Sequence, residues 1–377
     1  MSRRATEPAA RPARGRMIST ADRKLFAVVI GLAAAAGILH GTDGNPVLPF
    51  ITAAGALAAM ASLVARCVEA LGEKVGPGPT ALLQTFLGNL PELFVILFSL
   101  KAGLYEVVKA TLVGSILANV LLVTGLAFVV GGLKHGTQKF SMRTSRHLGL
   151  LTFASILILA VPTVTSTLHT GAADHERTLS VVVSVLLLAI FTMSLPAALR
   201  ENGHSQVSGS PESMAARHDA DEVGQWSLGL AVFMLAASGL GAALVSDWFV
   251  AALSPAIDAM HINAAFAGLV IVAIAGNAVE NVVGIQLAAR NEPDFALQVI
   301  MQSPVQIAMI IAPLVALAAP LVGAGTFTLV LSPMLLTVML VGALVAYMVV
   351  EDGESTWFEG ATMLGFYAAI AAAFWWG

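Results

Sequence analysis

The chain has 377 residues, of which 57% are hydrophobic and 11% charged, against about 25% charged in ordinary soluble domains. With a mean hydropathy of +0.85, this composition excludes a soluble globular protein, and a formal charge of −4 points to no nucleic-acid partner. The one cysteine, Cys67, excludes an intramolecular disulfide and a CxxC metal site; a small buried side chain is the plainer reading for it.

Residues 1–24 form a basic tail with seven arginines and lysines. An apolar run follows without a small-x-small cleavage site, so 25–45 reads as an uncleaved first transmembrane helix. A spanning helix needs about 20 apolar residues. Hydropathy and breakers place spans near 25–40, 46–68, 81–100, 105–132, 147–166, 178–199, 226–249, 264–289, 295–321, 327–350 and 356–376, about eleven in all. Lipid leaves no partner for unpaired backbone groups, so these are helices and the chain is an all-α integral membrane protein. The stretch 200–225 is the one sizeable hydrophilic break, a cytoplasmic linker between 46–199 and 226–377. With the N-terminus cytoplasmic and the C-terminus outside, 16 of the 19 basic residues fall on the inner side. Only Lys101, Lys109 and Arg177 are outer, as the positive-inside rule asks. A multi-pass cell membrane protein of the bacterial inner-membrane type is expected.

Shifted by 188, "GNLPELFVILFSLKAG" at 88–103 lies on "GNAVENVVGIQLAARN" at 276–291. Gly88 meets Gly276, Asn89 meets Asn277 and Glu92 meets Glu280, and Ser115 falls on Ser303 in the next span. Each half has five spans, an odd number, so the arrangement is 1 + 5 + 5 with inverted-topology repeats. This architecture is common in secondary transporters, with the site at the midplane. Glu92 is about eleven residues into its span, or ~17 Å at ~1.5 Å per residue, close to half of a ~30 Å hydrocarbon core. Glu280 falls at a similar depth from the opposite side.

A charged carboxylate at the bilayer centre costs roughly 2.5–3.5 kcal/mol. It can be relieved by a proton or by a bound cation, and a site that accepts either is an exchanger. Gly88, Gly276 and Pro91 favour a break in each helix, which releases carbonyl oxygens of the kind that bind ions at depth. Asn89 and Asn277 can take the left-handed conformation or bond to backbone, which also breaks a helix. Calcium takes 6–8 oxygen ligands. Oxygen donors gather at Glu92, Glu280, Asn89, Asn277, Ser115, Ser303, Asn119 and Gln306. Ser115 with Asn119, and Ser303 with Gln306, have i,i+4 and i,i+3 spacing and so share a helix face. The lack of cysteine or intramembrane histidine nearby argues against zinc or copper.

These two segments resemble the alpha-repeats of the calcium/cation antiporter superfamily, and their Gly-Asn-x-x-Glu form is similar to its calcium/proton antiporter branch. The resemblance covers spans 2–11. It implies that Glu92 and Glu280 bind cation and protons in turn, supported by Asn89, Asn277, Ser115, Ser303, Asn119 and Gln306, with alternating access. Departures from the family pattern are Leu90-Pro91, Gln84, Gln302-Ser303-Pro304 and Asn281, which bear on ion selectivity.

The expected function is therefore a secondary antiporter exporting cytoplasmic calcium for external protons. The alternative is sodium/calcium exchange, or sodium or potassium against protons, through the same site. Calcium and protons are transported substrates, no cofactor is expected, and sodium, potassium or manganese competition and homo-oligomer formation stay open. An enzyme is not expected, since neither HExxH nor GxSxG occurs. Glu69 and Glu73 read as a solvated helix end or an ion entrance, and Asp247 and Asp258 as acids flanking the outer mouth. Glu106 with Lys109 reads as a boundary ion pair.

Overall fold

The computed structural model describes residues 18–42, 44–75, 83, 84, 86–202 and 226–376, with side chains for all of these except 73 and 195–202. The basic tail up to residue 17 and most of the linker, 203–225, lie outside the described residues, as does the side chain of Glu73.

The first helix, α1 (Thr20–His40), begins five residues before the predicted span. The reason is local: Ser19 Oγ accepts from the Asp22 amide and Asp22 accepts from the Ser19 amide, a reciprocal cap that satisfies two of the orphan donors of a helix start. The helices that follow are α2 (Val47–Val75), α3 (Leu90–Lys101), α4 (Tyr105–His135), α5 (Met142–Thr167) and α6 (Glu176–Asn202). Beyond the linker come α7 (Leu228–Met260), α8 (Ala264–Gly276), α9 (Ala278–Ala289), α10 (Pro293–Ala318), α11 (Pro333–Val350) and α12 (Trp357–Trp376).

Among the described residues nine helices are long and apolar enough to cross a membrane, and α8 with α9 are so when taken together, bent by 64° at the break between them. The span predicted at 81–100 is represented by α3, 12 residues long, and by helical residues on the other side of a turn at Gly88-Asn89. Two predicted boundaries move. Helix α7 runs through Pro255 to Met260 rather than ending at 249. The span expected from 327 starts as helix only at Pro333, after Ser332 caps it. The extended chain before it has backbone donors paired by side chains, Leu329 N with Ser180 Oγ (3.0 Å) and Leu331 N with Thr163 Oγ1 (2.9 Å); non-helical backbone at this depth is stable only when so satisfied.

Contacts group the loops into three patches. On one, Asp22 at the start of α1 receives Arg66 Nε (2.9 Å) and Trp226 Nε1 (2.9 Å). On a second the 138–141 segment joins 291–294 and 354: Gln138 to Asn291 (3.0 Å), Ser141 N to Asp294 (2.6 Å) and Lys139 to Glu354 (2.9 Å). A two-residue antiparallel pair, β1 (Gln138–Lys139) with β2 (Glu354–Ser355), closes that corner. On the third Tyr105 donates its hydroxyl to Ala324 O (2.6 Å). Lys109 lies over the Phe327 ring at 5.7 Å, and the predicted Glu106–Lys109 pair is not among the ion pairs of the described residues.

Candidate functional site

Both halves interrupt a span at Gly-Asn. Asn89 has φ −92°, ψ 16° and Asn277 φ −105°, ψ 22°, the same sparsely populated bridge conformation rather than the left-handed one. In each case the asparagine carbonyl starts the next helix, accepting from Leu93 N (3.0 Å) and Asn281 N (3.1 Å). Pro91 occupies the first turn of α3, where its missing donor is harmless. Val279 stands at the equivalent place in α9 and the chain breaks there too. The Gly-Asn pair, not the proline, is common to the breaks.

The second common feature follows the serines. Ala118–Val123 and Ile307–Ile311 are both π-helical segments within α4 and α10. Such wide turns misalign the backbone ladder and recur at functional sites. Thr124 Oγ1 donates to the Asn119 carbonyl at 2.8 Å inside the first of them.

At the break of the first half, Glu92 is 2% exposed. Its Oε1 accepts a short hydrogen bond from Ser115 Oγ and one from Asn277 Nδ2 at 3.3 Å. Asn277 Nδ2 also lies 3.0 Å from Ser115 Oγ and 2.9 Å from the Ala273 carbonyl. Asn119 Nδ2 reaches the Ser115 carbonyl (2.9 Å), Ser303 Oγ (3.2 Å) and Asn277 Oδ1 (3.3 Å), and Ser303 Oγ donates to Asn277 Oδ1 at 3.2 Å. A few residues away Asn89 Nδ2 donates to Gln306 Oε1 at 2.6 Å. Glu92, Ser115, Asn277, Asn119 and Ser303 are thus linked in one hydrogen-bonded cluster, with Asn89 and Gln306 paired beside it. Gly276 makes room for them: a Cβ there would lie 3.4 Å from Glu92 Cγ.

Glu280 differs from the expectation of two equally buried acids. It occupies the matched third position of α9 but is only partly buried. The halves are alike in motif and unlike in surroundings: Glu92 is sealed by Ser115, Asn277 and Gly276, while α9, which carries Glu280, faces a cavity of about 520 Å³ between α1, α2 and α9. Two acceptors in the sealed cluster, Glu92 Oε2 and Asn119 Oδ1, are buried without a hydrogen-bond partner. Unsatisfied buried oxygens are costly, and a cation or proton on the carboxylate relieves them.

The secondary acids separate. Glu69 is no freely solvated helix end; it pairs with Arg66 at 3.2 Å and lines the cavity with it. Asp247 and Asp258 are exposed side chains on α7, the former well inside the helix because α7 extends past the predicted end. Cys67 is fully buried, 4.0 Å from Ser238 Oγ.

One cluster escaped the sequence reading. Asp22, 3% exposed, accepts from Ser19 N, Arg66 Nε and Trp226 Nε1, and the Arg66 guanidinium stands 5.1 Å over the Trp226 ring. It joins α1, α2 and the approach to α7. The Ser19-x-x-Asp22 spacing before an apolar run, a capping-box signature, was the signal available for it.

A family model described as "Sodium/calcium exchanger protein" matches residues 46–199 and 230–376. The chain is 34% identical over 319 residues to the Ca(2+)/H(+) antiporter ChaA of Bacillus subtilis (strain 168), covering 84% of this chain and 88% of the relative. It is 30% identical over 361 residues to a Ca(2+)/H(+) antiporter of Synechocystis sp., covering 93% and 97%. The solved structure of native YfkE superposes with a TM-score of 0.76 at 28% identity, covering 94% of this chain and 99% of that one. The chain belongs to the sodium/calcium exchanger protein family, in its calcium/proton antiporter branch.

Proposed function

We propose that the protein is a secondary antiporter that exchanges calcium for protons, with Glu92 and Glu280 as the carboxylates that hold either one. The observation that carries this reading is the state of Glu92: a carboxyl 2% exposed, with one oxygen held by Ser115 and Asn277 and the other without a partner. Bare negative charge is expensive there, so the sealed arrangement suits a protonated carboxyl. Removing that proton creates a demand for positive charge that a divalent cation meets.

The donor set supports a hard ion. Around Glu92 stand hydroxyl, amide and carbonyl oxygens, which suit calcium and leave soft metals without a thiolate. In the proposed cycle the site faces the cytoplasm, loses protons and takes calcium at Glu92 and Glu280. The two halves then rock about the midplane, and protons arriving from outside displace the ion. Each carboxylate has one task, to carry a proton in one direction and a share of the cation in the other. The relatives named as Ca(2+)/H(+) antiporters support the cargo. The direction of export follows the proton gradient, with protons from the lower-pH outer side displacing the ion.

The test is calcium uptake into proteoliposomes driven by a pH gradient with sodium absent. Uphill uptake that collapses with the pH gradient is the expected result. Uptake that needs a sodium gradient instead would favour sodium/calcium exchange, the second reading, to which the matched family description also points.

A further inference from the structure

The cavity of about 520 Å³ between α1, α2 and α9 is graded along its length. Leu25, Val28 and Leu32 of α1 and Val279, Val282 and Val283 of α9 form apolar walls, and α2 adds only glycine and alanine from Gly55 to Ala59. The polar side chains that line it, Ser62, Arg66 and Glu69, gather toward one end, and Glu280 is not part of the lining. From Gly55 to Glu69 is fourteen residues of helix, about 21 Å. That is half of the ~40–45 Å of a bilayer with its headgroups, so the cavity has about the length of one leaflet.

Its sides are open to hydrocarbon. Val28 and Val282, on opposite walls, are 51% and 53% exposed. Each water in such a space needs about two to four polar partners. The one hydroxyl in the wall, Ser62 Oγ, already donates to the Ala58 carbonyl at 3.0 Å. An acyl chain needs no such partners.

The polar end carries spare positive charge. Arg66 engages both acids there, Asp22 at 2.9 Å and Glu69 at 3.2 Å. Arg23 and Lys24 are exposed and belong to none of the ion pairs of the described residues. Lys24 adjoins Leu25 and lies one turn before Val28, at the mouth of the apolar stripe. Over residues 1–24 the sequence holds seven basic residues against two acids, Glu7 and Asp22, and such clusters beside a transmembrane helix attract anionic headgroups.

We infer that this cavity is a phospholipid-binding site: an acyl chain lies between α1, α2 and α9, and its anionic headgroup sits beside Lys24 at the Arg66 end. The site lies apart from the carboxylates, and its occupancy is read without transport, so lipid binding and calcium exchange stand or fall separately.

The experiment is native mass spectrometry of the purified full-length protein titrated with dioleoyl phosphatidylglycerol or dioleoyl phosphatidylcholine. One phosphatidylglycerol per chain should be held about fivefold more tightly than phosphatidylcholine, the factor expected from one cation near the headgroup. Lys24→Gln should remove most of that preference. Ala58→Phe, which fills the path of the chain, should lose the tight site for both lipids. Val28→Phe repeats that block from the opposite wall, at a half-exposed position that tolerates a larger side chain. The control Leu244→Phe on α7, 51% exposed, should bind as the parent does. Retention unchanged in both blocking variants overturns the inference, as does equal affinity of the parent for the two lipids. Inorganic phosphate should not displace the bound lipid; displacement would assign the Lys24 end to a free anion and overturn it too.

Discussion

The side-chain nitrogen of Asn277 lies 3.0 Å from Ser115 Oγ, which pins the break of the second half to the continuous helix of the first. Asn89 does the converse, reaching Gln306 on α10 at 2.6 Å. Each break is therefore held by the opposite repeat, and the cluster around Glu92 belongs to neither half alone.

Asn277→Ala removes the amide that serves Glu92 Oε1, Ser115 and the Ala273 carbonyl at once. Losing such bonds in a buried site costs about 1–3 kcal/mol. The expected outcome is a lower thermal midpoint in detergent together with strongly reduced calcium uptake. Asn89→Ala, which leaves only Gln306 Oε1 without its donor, should be the milder of the two in the same assays.

In the proposed cycle protons and calcium compete for one pair of carboxylates. Lowering pH on the calcium-loading side should therefore raise the calcium concentration needed for half-maximal uptake, and raising it should lower that concentration, with maximal uptake recovered at saturating calcium. A titration of uptake against calcium at several pH values checks this. An affinity independent of pH would separate the proton site from the metal site.

Close packing of the broken span against α4 depends on two glycines. A Cβ on Gly268 would sit 2.6 Å from the Val107 carbonyl, and one on Gly114 would overlap the Leu269 backbone. Overpacking of this kind costs typically about 1–3 kcal/mol, so Gly268→Ala and Gly114→Ala should lower thermal stability and uptake together. Gly31→Ala on α1, with nothing within 4 Å of the added carbon, should be neutral or stabilising by up to about 1 kcal/mol.

The Asp22 cluster predicts a larger structural effect. Arg66→Ala leaves the buried Asp22 carboxylate with only Ser19 N and Trp226 Nε1 as donors, and breaking a buried pair costs about 3–5 kcal/mol. Because Arg66 itself is 13% exposed, the lower end of that range is expected, read as loss of the monodisperse peak on heating. Asp22→Asn, which keeps the acceptor oxygen and removes the charge, should be milder.

Much of this site was legible in the sequence, because a glycine, an asparagine and a glutamate recur at one offset inside two apolar runs. Apolar packing does not demand polar residues, so their repetition marked Glu92, Glu280 and their neighbours. What was not legible is the difference between the halves. Identical motifs cannot tell that Glu92 is sealed and Glu280 partly exposed, since that depends on which side of the molecule is packed shut. The end of α7 was set too early at 249; the helix runs on to Met260 with Pro255 inside it. Asp22 looked like part of a solvated basic tail because its partners, Arg66 and Trp226, are 44 and 204 residues away.

The most direct test is pH-driven calcium uptake by proteoliposomes holding Glu92→Gln, compared with the unaltered protein in the absence of sodium. Glutamine keeps the acceptor oxygen for Ser115 and Asn277 but cannot shed a proton, so a folded variant that accumulates no calcium is the predicted result. A variant that concentrates calcium as well as the parent would contradict it.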